Sequence, residues 1–253
     1  MKRITFFGLT LALLMPISIG VRDTQKELTI NLKFVPQEGV QSNSPDLPPA
    51  MTERTFEIRA EDGRNGQNPL TIGQGTNDDD KSFPINAGSD VIAYVKDTLK
   101  QVSAGWGLSD ANPKQRVLII RLTRFFVDES NKALGSVYTA EVGLAYALTD
   151  AEGKRLLEGI GSGAAHRYGR SRSSDNCSEV LSDALKEAFA DTLSTSQLQT
   201  AWISGKAGTS STSQSTPKES VEERLRKLDD LLKKGLITKE EYNSKRAEIL
   251  KDV

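Results

Sequence analysis

Apolar and polar positions alternate along much of the chain between residues 27 and 168, which is the pattern of β-strands with one buried face. Arg116–Val127 differs, because its nearly continuous apolar run is typical of a central strand covered on both faces. Gly161 and Gly163 interrupt the last strand and indicate a bulge or a close backbone approach. The predicted strands are Glu27–Val35, Thr55–Ala60, Arg116–Val127, Ser136–Thr149 and Lys154–Tyr168.

Two stretches instead show the spacing of amphipathic helices. Ser89–Ser103 is predicted to begin with Ser89 as its N-cap, and Asp175–Thr192 forms the second helix, with a continuation to Ile203 left open. The element order is therefore β-β-α-β-β-β-α. This order predicts an α+β fold in which a mostly antiparallel sheet carries two long helices packed on it.

Polar segments divide the chain into parts. Glu61–Ser82, which is rich in Gly, Asn and Asp, is predicted to be a loop, and Gly205–Pro217 is typical of a flexible Ser/Thr/Gly linker. We therefore expect a leader at residues 1–20, an α+β envelope domain at 25–203, a linker at 204–218 and a separate C-terminal αα-hairpin at 219–253.

The leader has the organisation of a secretory signal peptide. Two cations, Lys2 and Arg3, precede an apolar run from Ile4 to Ile19, and small residues allow cleavage after Gly20. An uncleaved inner-membrane anchor is the alternative. No cysteine follows the apolar run, so the usual site of lipid attachment is missing and a periplasmic location is expected.

The hairpin is predicted from two amphipathic stripes separated by a helix-stop signal. Lys233 and Lys234 precede Gly235, as is typical of a helix C-terminus, and Thr238 with Glu241 fits a capping box that starts a second helix. About 35 residues bury too little apolar surface to be comfortably stable alone. We therefore expect the hairpin to dock on a partner or on the preceding domain.

This segment closely resembles the SHOCT domain, a short C-terminal module of bacterial proteins. The resemblance rests on Leu225, Leu228, Leu231, Gly235, Leu236, Ile237, Thr238, Glu240, Glu241, Tyr242 and Leu250. It implies oligomerisation or attachment to another protein, and no chemistry. The predicted protein-interaction residues are Leu225, Leu228, Leu231, Leu232, Leu236, Ile237, Tyr242, Ile249 and Leu250.

The preceding domain resembles small envelope lipoproteins of the YajG type. The shared features are the order of the elements and a hairpin turn that reads Asp150-Ala151-Glu152-Gly153-Lys154. The chain departs from this family in lacking the lipidated cysteine. The resemblance implies a location in the bacterial envelope, in proximity to a membrane.

Residue types suited to catalysis are scarce. His166 is the chain's one histidine and Cys177 its one cysteine, which is too few ligands for a zinc site. A Cys177–His166 dyad would support a hydrolase, whereas a buried, inert Cys177 is the favoured interpretation. The sequence has no phosphate-binding or dinucleotide fingerprint, so we expect no enzyme, no metal and no cofactor.

The net charge of −1 gives no reason to expect a nucleic-acid partner. The sequence thus favours an exported, non-enzymatic interaction protein of the bacterial envelope, in which the hairpin mediates self-association or tethering to a protein partner. The alternative is a periplasmic module that binds a small molecule or lipid between sheet and helices, near Gly159–Gly163 and Trp106.

Overall fold

A computed structural model describes residues 27–36, 44–66, 68–77 and 81–207, together with the single positions Tyr242 and Arg246. The leader, most of the linker and nearly all of the hairpin lie outside these described residues. Within them, no helix has the length and apolar character needed to span a membrane.

The described elements alternate between sheet and helix. They are β1 (Leu28–Ile30), α1 (Pro49–Thr52), β2 (Phe56–Asp62), β3 (Thr71–Thr76), β4 (Ser82–Ala87), α2 (Val91–Gly105), β5 (Arg116–Lys132), β6 (Gly135–Asp150), β7 (Arg155–Gly169), α3 (Ser174–Ser194) and α4 (Ser196–Ser204).

These strands form one seven-stranded sheet in the described part of the chain. Six of them follow the order β1-β4-β3-β5-β6-β7, and the seventh, β2, pairs with β5. The long strand β5 pairs with β6 along one edge, while β2 and β3 share its other edge. The β5–β6, β6–β7 and β3–β4 pairs are antiparallel, but the β1–β4, β2–β5 and β3–β5 pairs are parallel. The α+β class is confirmed, and the prediction of a mostly antiparallel sheet is only partly correct.

Both long helices lie on the same face of the sheet, as the sequence predicts. Helix α2 packs on β2, and α3 packs on β6 and β7. The apolar rows of β5 and β6 that face the helices, such as Leu118, Ile120, Leu144 and Leu148, are buried. The opposite face of β5 exposes Arg121 and Arg124, so the expectation that this strand is covered on both faces is wrong for the described structure.

The predicted loop over Glu61–Ser82 contains the end of β2, all of β3 and the start of β4. Its glycines had suggested irregular backbone, but they allow close packing. A Cβ on Gly73 would lie 2.2 Å from the carbonyl oxygen of Val127, and one on Gly75 would lie 2.3 Å from the ring of Phe83. The predicted first strand is shorter than expected, because pairing ends at Ile30 and the next residues cross helix α3, where Val35 N donates to Ser182 Oγ.

Helix boundaries follow from capping groups. Asp90 caps α2 by accepting from Ile92 N and Ala93 N, one residue later than the predicted Ser89 cap. Ser173 caps α3 by accepting from Asn176 N. Helix α3 does not continue without interruption toward Ile203, because Thr195 adopts an extended conformation and separates it from α4.

Two arginines hold the last turn of α4 where the described chain ends. Arg116 donates from Nε to the Trp202 carbonyl at 2.8 Å, and Arg54 donates to the Ile203 carbonyl at 3.4 Å. These carbonyls lack partners within a helix, so the arginines satisfy them. Burial, together with the charge of Arg54, lowers the pKa of Arg116 below its usual value. The exit of the chain is therefore fixed at the start of β5.

Candidate functional site

The structure describes one of the predicted protein-interaction residues. Tyr242 is helical and half-buried, and the other eight lie outside the described residues. The docking role of the hairpin accordingly stays a prediction from sequence.

The Cys177–His166 pair does not form a dyad. Cys177 is fully buried in the first turn of α3, where burial and the nearby carboxylate of Glu129 raise the pKa of its thiol to about 12. His166 is exposed on the face of β7 that points away from the helices, whereas its neighbour Arg167 reaches toward α3 and pairs with Glu179. The interpretation of Cys177 as an inert buried residue is confirmed.

The region proposed for a ligand between sheet and helices is filled by protein atoms. A Cβ on Gly161 would lie 2.7 Å from the Ala188 carbonyl oxygen, and one on Gly163 would lie 2.2 Å from that of Ala184. The glycines therefore permit the close approach of α3, as one of the sequence interpretations proposed. Trp106 stacks on Phe189 of α3 at a centroid distance of 5.6 Å. This location leaves no room for a bound molecule.

A cleft of about 570 Å³ opens beside the start of α2. Its charged groups are already engaged, because Arg64 binds Asp62 and the Pro69 carbonyl, while Asp90 caps the helix. Across the described residues, no group of three or more His, Cys, Asp or Glu side chains is arranged to hold a metal ion. The cleft therefore offers no ionised side chain without a partner to a ligand.

A buried polar cluster joins the end of β5 to the loop before α3. Glu129 is 1% exposed, and its Oε1 accepts from Ser136 Oγ at 2.8 Å and from the backbone N–H of Arg172. The hydroxyl of Tyr138 lies 3.0 Å from the same oxygen and also accepts from Ser173 N. Burial and the Glu129 carboxylate raise the pKa of Tyr138 to about 12, so this hydroxyl stays protonated at neutral pH.

This cluster fixes the loop between β7 and α3. Glu129 Oε2 has no hydrogen-bond partner, but the contacts of Oε1 are all with groups of the protein itself. The signal in the sequence was the polar residue Glu129 in the row of β5 that otherwise faces the helices with Phe125 and Val127. We interpret the cluster as a structural feature that holds the loop between β7 and α3 in place.

The sheet face without helices carries the main candidate surface. Gly143, Ala145 and Ala147 of β6 provide a floor of small side chains in the middle of this face, and all three are half-buried. We call this surface the sheet groove. It is bordered on β5 by Ile119, Arg121 and Arg124 and on β7 by Glu158, Ile160 and Ser162.

Ile160 is the most exposed large apolar residue of the sheet groove. It is 73% exposed although it is a large aliphatic residue, and it lies opposite Ala145 in the β6–β7 register. Ile119 lies opposite Ala147 on the other side. Arg121 and Arg124 lie opposite Ala145 and Gly143 on β5, so the small side chains are flanked by both apolar and charged ones. No helix of the described chain covers this face of the sheet.

The edge of the sheet at β7, in contrast, is covered at two positions. Strand β7 is the last strand, and its outward N–H groups at Ser162 and Ala164 donate to Asp191 Oδ2 and Glu187 Oε2 of α3, at 3.0 and 3.1 Å. The two carboxylates are one helical turn apart and the two N–H groups are two strand residues apart, and both spacings are about 6 Å. We call this arrangement the carboxylate ladder.

Residues 223–250 match the family model of SHOCT, a short C-terminal domain. This match confirms the resemblance that the segment around Gly235 to Tyr242 indicated. It lies within the segment that the sequence predicts to form the hairpin. A search of curated proteins finds no match for the chain.

Several solved structures are similar to the chain. A Xanthomonas campestris protein of the family model DUF330 shares 12% identity, with a TM-score of 0.44 over 72% of this chain and 100% of that one. A minor lipoprotein from Acinetobacter baumannii shares 9% identity, with a TM-score of 0.32 over 58% of this chain and 93% of that one. A lipoprotein is thus among the solved structures to which the chain is similar.

Proposed function

We propose that this protein is an exported, non-enzymatic interaction protein of the bacterial envelope, and that its C-terminal hairpin mediates self-association or tethering to a protein partner. The observation that carries the proposal is the SHOCT match at residues 223–250, placed after a Ser/Thr/Gly linker. The signal-like leader supports export into the periplasm.

Two further observations support a role without catalysis. Cys177 is buried and separated from His166, and the described charged groups of the cleft beside α2 are engaged with each other. The apolar residues of the hairpin, above all Leu225 and Leu228, supply the contact in this proposal, because they form one stripe on a segment too small to be stable alone.

The test is the mass in solution of the protein recovered from the periplasmic fraction, measured by size-exclusion chromatography with light scattering. We expect the full chain, or the full chain with a captured partner, to exceed the mass of one copy. Removing residues 217–253 should reduce it to a single copy.

Leu228→Asp should have the same effect as the truncation, because a charge in the apolar stripe opposes burial. Lys227→Asp is the matched control, since it introduces the same side chain at the neighbouring polar position and should leave the assembly intact. If all four proteins run as single copies without a partner, the hairpin has no tethering role.

A further inference from the structure

The sheet groove and the helix that the sequence predicts for residues 221–232 are similar in length and lie on the same chain. The floor from Gly143 to Ala147 is about 14 Å long at the rise of a strand. The stripe from Leu225 to Leu232 extends over about 10 Å at the rise of a helix. A helix whose large aliphatic side chains project from one stripe fits a floor that has only small side chains.

The described chain ends close to one end of this groove. A Cβ on Gly205 would lie 2.8 Å from a guanidinium nitrogen of Arg116 at the start of β5. Ile119, at the border of the groove, is three residues further along the same strand, or about 10 Å away. The tail therefore leaves the domain at the end of the sheet where the groove begins.

The linker is long enough for this span. Residues 208–218 are rich in Ser and Thr, and a flexible linker of this length has a root-mean-square extension of about 20 Å and cannot exceed about 40 Å. A short flexible linker that can reach between two sites gives an effective concentration in the millimolar range. Binding within one chain is then favoured over binding between copies at lower protein concentrations.

We propose that the first helix of the hairpin, residues 221–232, docks in the sheet groove of its own chain, with Leu225, Leu228 and Leu232 against Gly143, Ala145 and Ala147. This inference rests on the proposed function. In that function a partner binds the apolar stripe of the hairpin, and here the sheet groove competes with the partner for the same stripe. The docked hairpin is held back from self-association, and a partner that binds the same stripe releases it.

The experiment uses the full chain and measures how fast single introduced thiols react with a maleimide. Cys177 is buried and serves as an unreactive background. Ala145→Cys reports on the floor of the groove and Ile160→Cys on its border, while Ala93→Cys reports on an exposed position of α2 on the other side of the molecule.

We expect the thiols at residues 145 and 160 to react at least five-fold more slowly in the full chain than in a chain ending at residue 216. Adding Leu228→Asp to the full chain should restore the fast rate, and Ala93→Cys should react equally in all of them. The protection should be the same at every protein concentration, because both binding surfaces belong to one molecule.

Equal rates at residues 145 and 160 with and without the tail would overturn the inference. Protection that increases with concentration would also overturn it, since the occupant would then be a second copy. Light scattering on the same samples separates these outcomes from failure of the proposed function, because a chain that associates through Leu228 without protecting the groove retains the function and loses the docking.

Discussion

At the scale of single residues, the packing of α3 depends on glycines in β7. A Cβ on Gly163 would lie 2.2 Å from the Ala184 carbonyl oxygen and 2.4 Å from Ala188 N, and neither backbone atom can move without shifting the helix. Gly105, at the end of α2, is the opposite case, because a Cβ there would meet no atom within 4 Å. Two glycines of one domain thus have different structural roles.

We expect Gly163→Ala to lower the free energy of unfolding by about 1–3 kcal/mol, because it overpacks the contact between β7 and α3. Gly105→Ala should leave stability unchanged or raise it by about 0.5–1 kcal/mol, since alanine favours the helix. Urea denaturation monitored by circular dichroism measures both. Equal stability of the two variants would contradict the close approach of α3 to β7.

The sequence left two roles open for these glycines. A glycine within a strand indicates either a bulge or a close approach, and the partner that decides between them is distant in sequence. Gly161 and Gly163 face Ala188 and Ala184, more than twenty residues away along the chain. The role of Glu129 was missed for the same reason, because Arg172 N and the hydroxyl of Tyr138 reach it only after folding.

At the scale of elements, the carboxylate ladder takes the place of a neighbouring strand at the edge of β7. An exposed edge presents unpaired N–H groups to other chains and favours aggregation. Here Glu187 and Asp191 accept from the N–H groups of Ala164 and Ser162, so helix α3 both packs on the sheet and covers its margin.

Replacing both carboxylates by alanine (Glu187→Ala with Asp191→Ala) should expose this edge and cause self-association that is visible as an increased mass in light scattering. The pair Glu187→Gln and Asp191→Asn is the matched control, because it removes the same charges and keeps an acceptor oxygen at each position. Association of both pairs would show that charge, and not the covered edge, keeps the chains apart.

Among the elements, those with strong periodicity were predicted well. Helices α2 and α3 and strands β5, β6 and β7 occur where the apolar spacing placed them, within a few residues except at the longer C-terminal end of β5. Strands β3 and β4 were missed, because Gly73, Gly75 and Pro84 are residues that single-sequence patterns assign to loops. Tertiary packing on β5 selects the extended conformation there.

At the scale of the whole molecule, Ser182 joins three parts that are far apart in the sequence. Its Oγ lies 3.0 Å from the hydroxyl of Tyr94 on α2, accepts from Val35 N and lies 3.2 Å from the Lys33 carbonyl oxygen. It also donates to the Ser178 carbonyl of its own helix at 2.6 Å. The side chain is fully buried on α3. The segment after β1 and both long helices therefore meet at one hydroxyl group.

Ser182→Ala should lower the free energy of unfolding by about 1–3 kcal/mol, because it leaves buried polar groups of Tyr94 and Val35 without this partner. Ser194→Ala, on the same helix, is the control, since its hydroxyl binds only the Ala190 carbonyl of its own helix, and the change should stay within about 0.5 kcal/mol. Thermal unfolding measures the two variants, and equal midpoints would contradict this role of Ser182.

The order of the strands could not be derived from the sequence. Antiparallel pairing of β5, β6 and β7 followed from the short turns between them, including the Asp150–Gly153 turn. The parallel pairing of β2 and β3 with β5 depends on a long connection through β4 and α2, whose path no local signal specifies. The hairpin was recognised from its own residues, because its signature is local.

The hydrogen bonds from Arg54 and Arg116 to the end of α4 also have a mechanical consequence. If a partner pulls on the tail, the tension reaches the hydrogen bonds to the Trp202 and Ile203 carbonyls before it reaches the rest of the domain. Arg116 begins β5 and is paired with Phe56, which begins the parallel strand β2. The parallel strands β2 and β5 then share the force, which acts on both from the same end. The domain therefore resists the separation of single strands from the sheet.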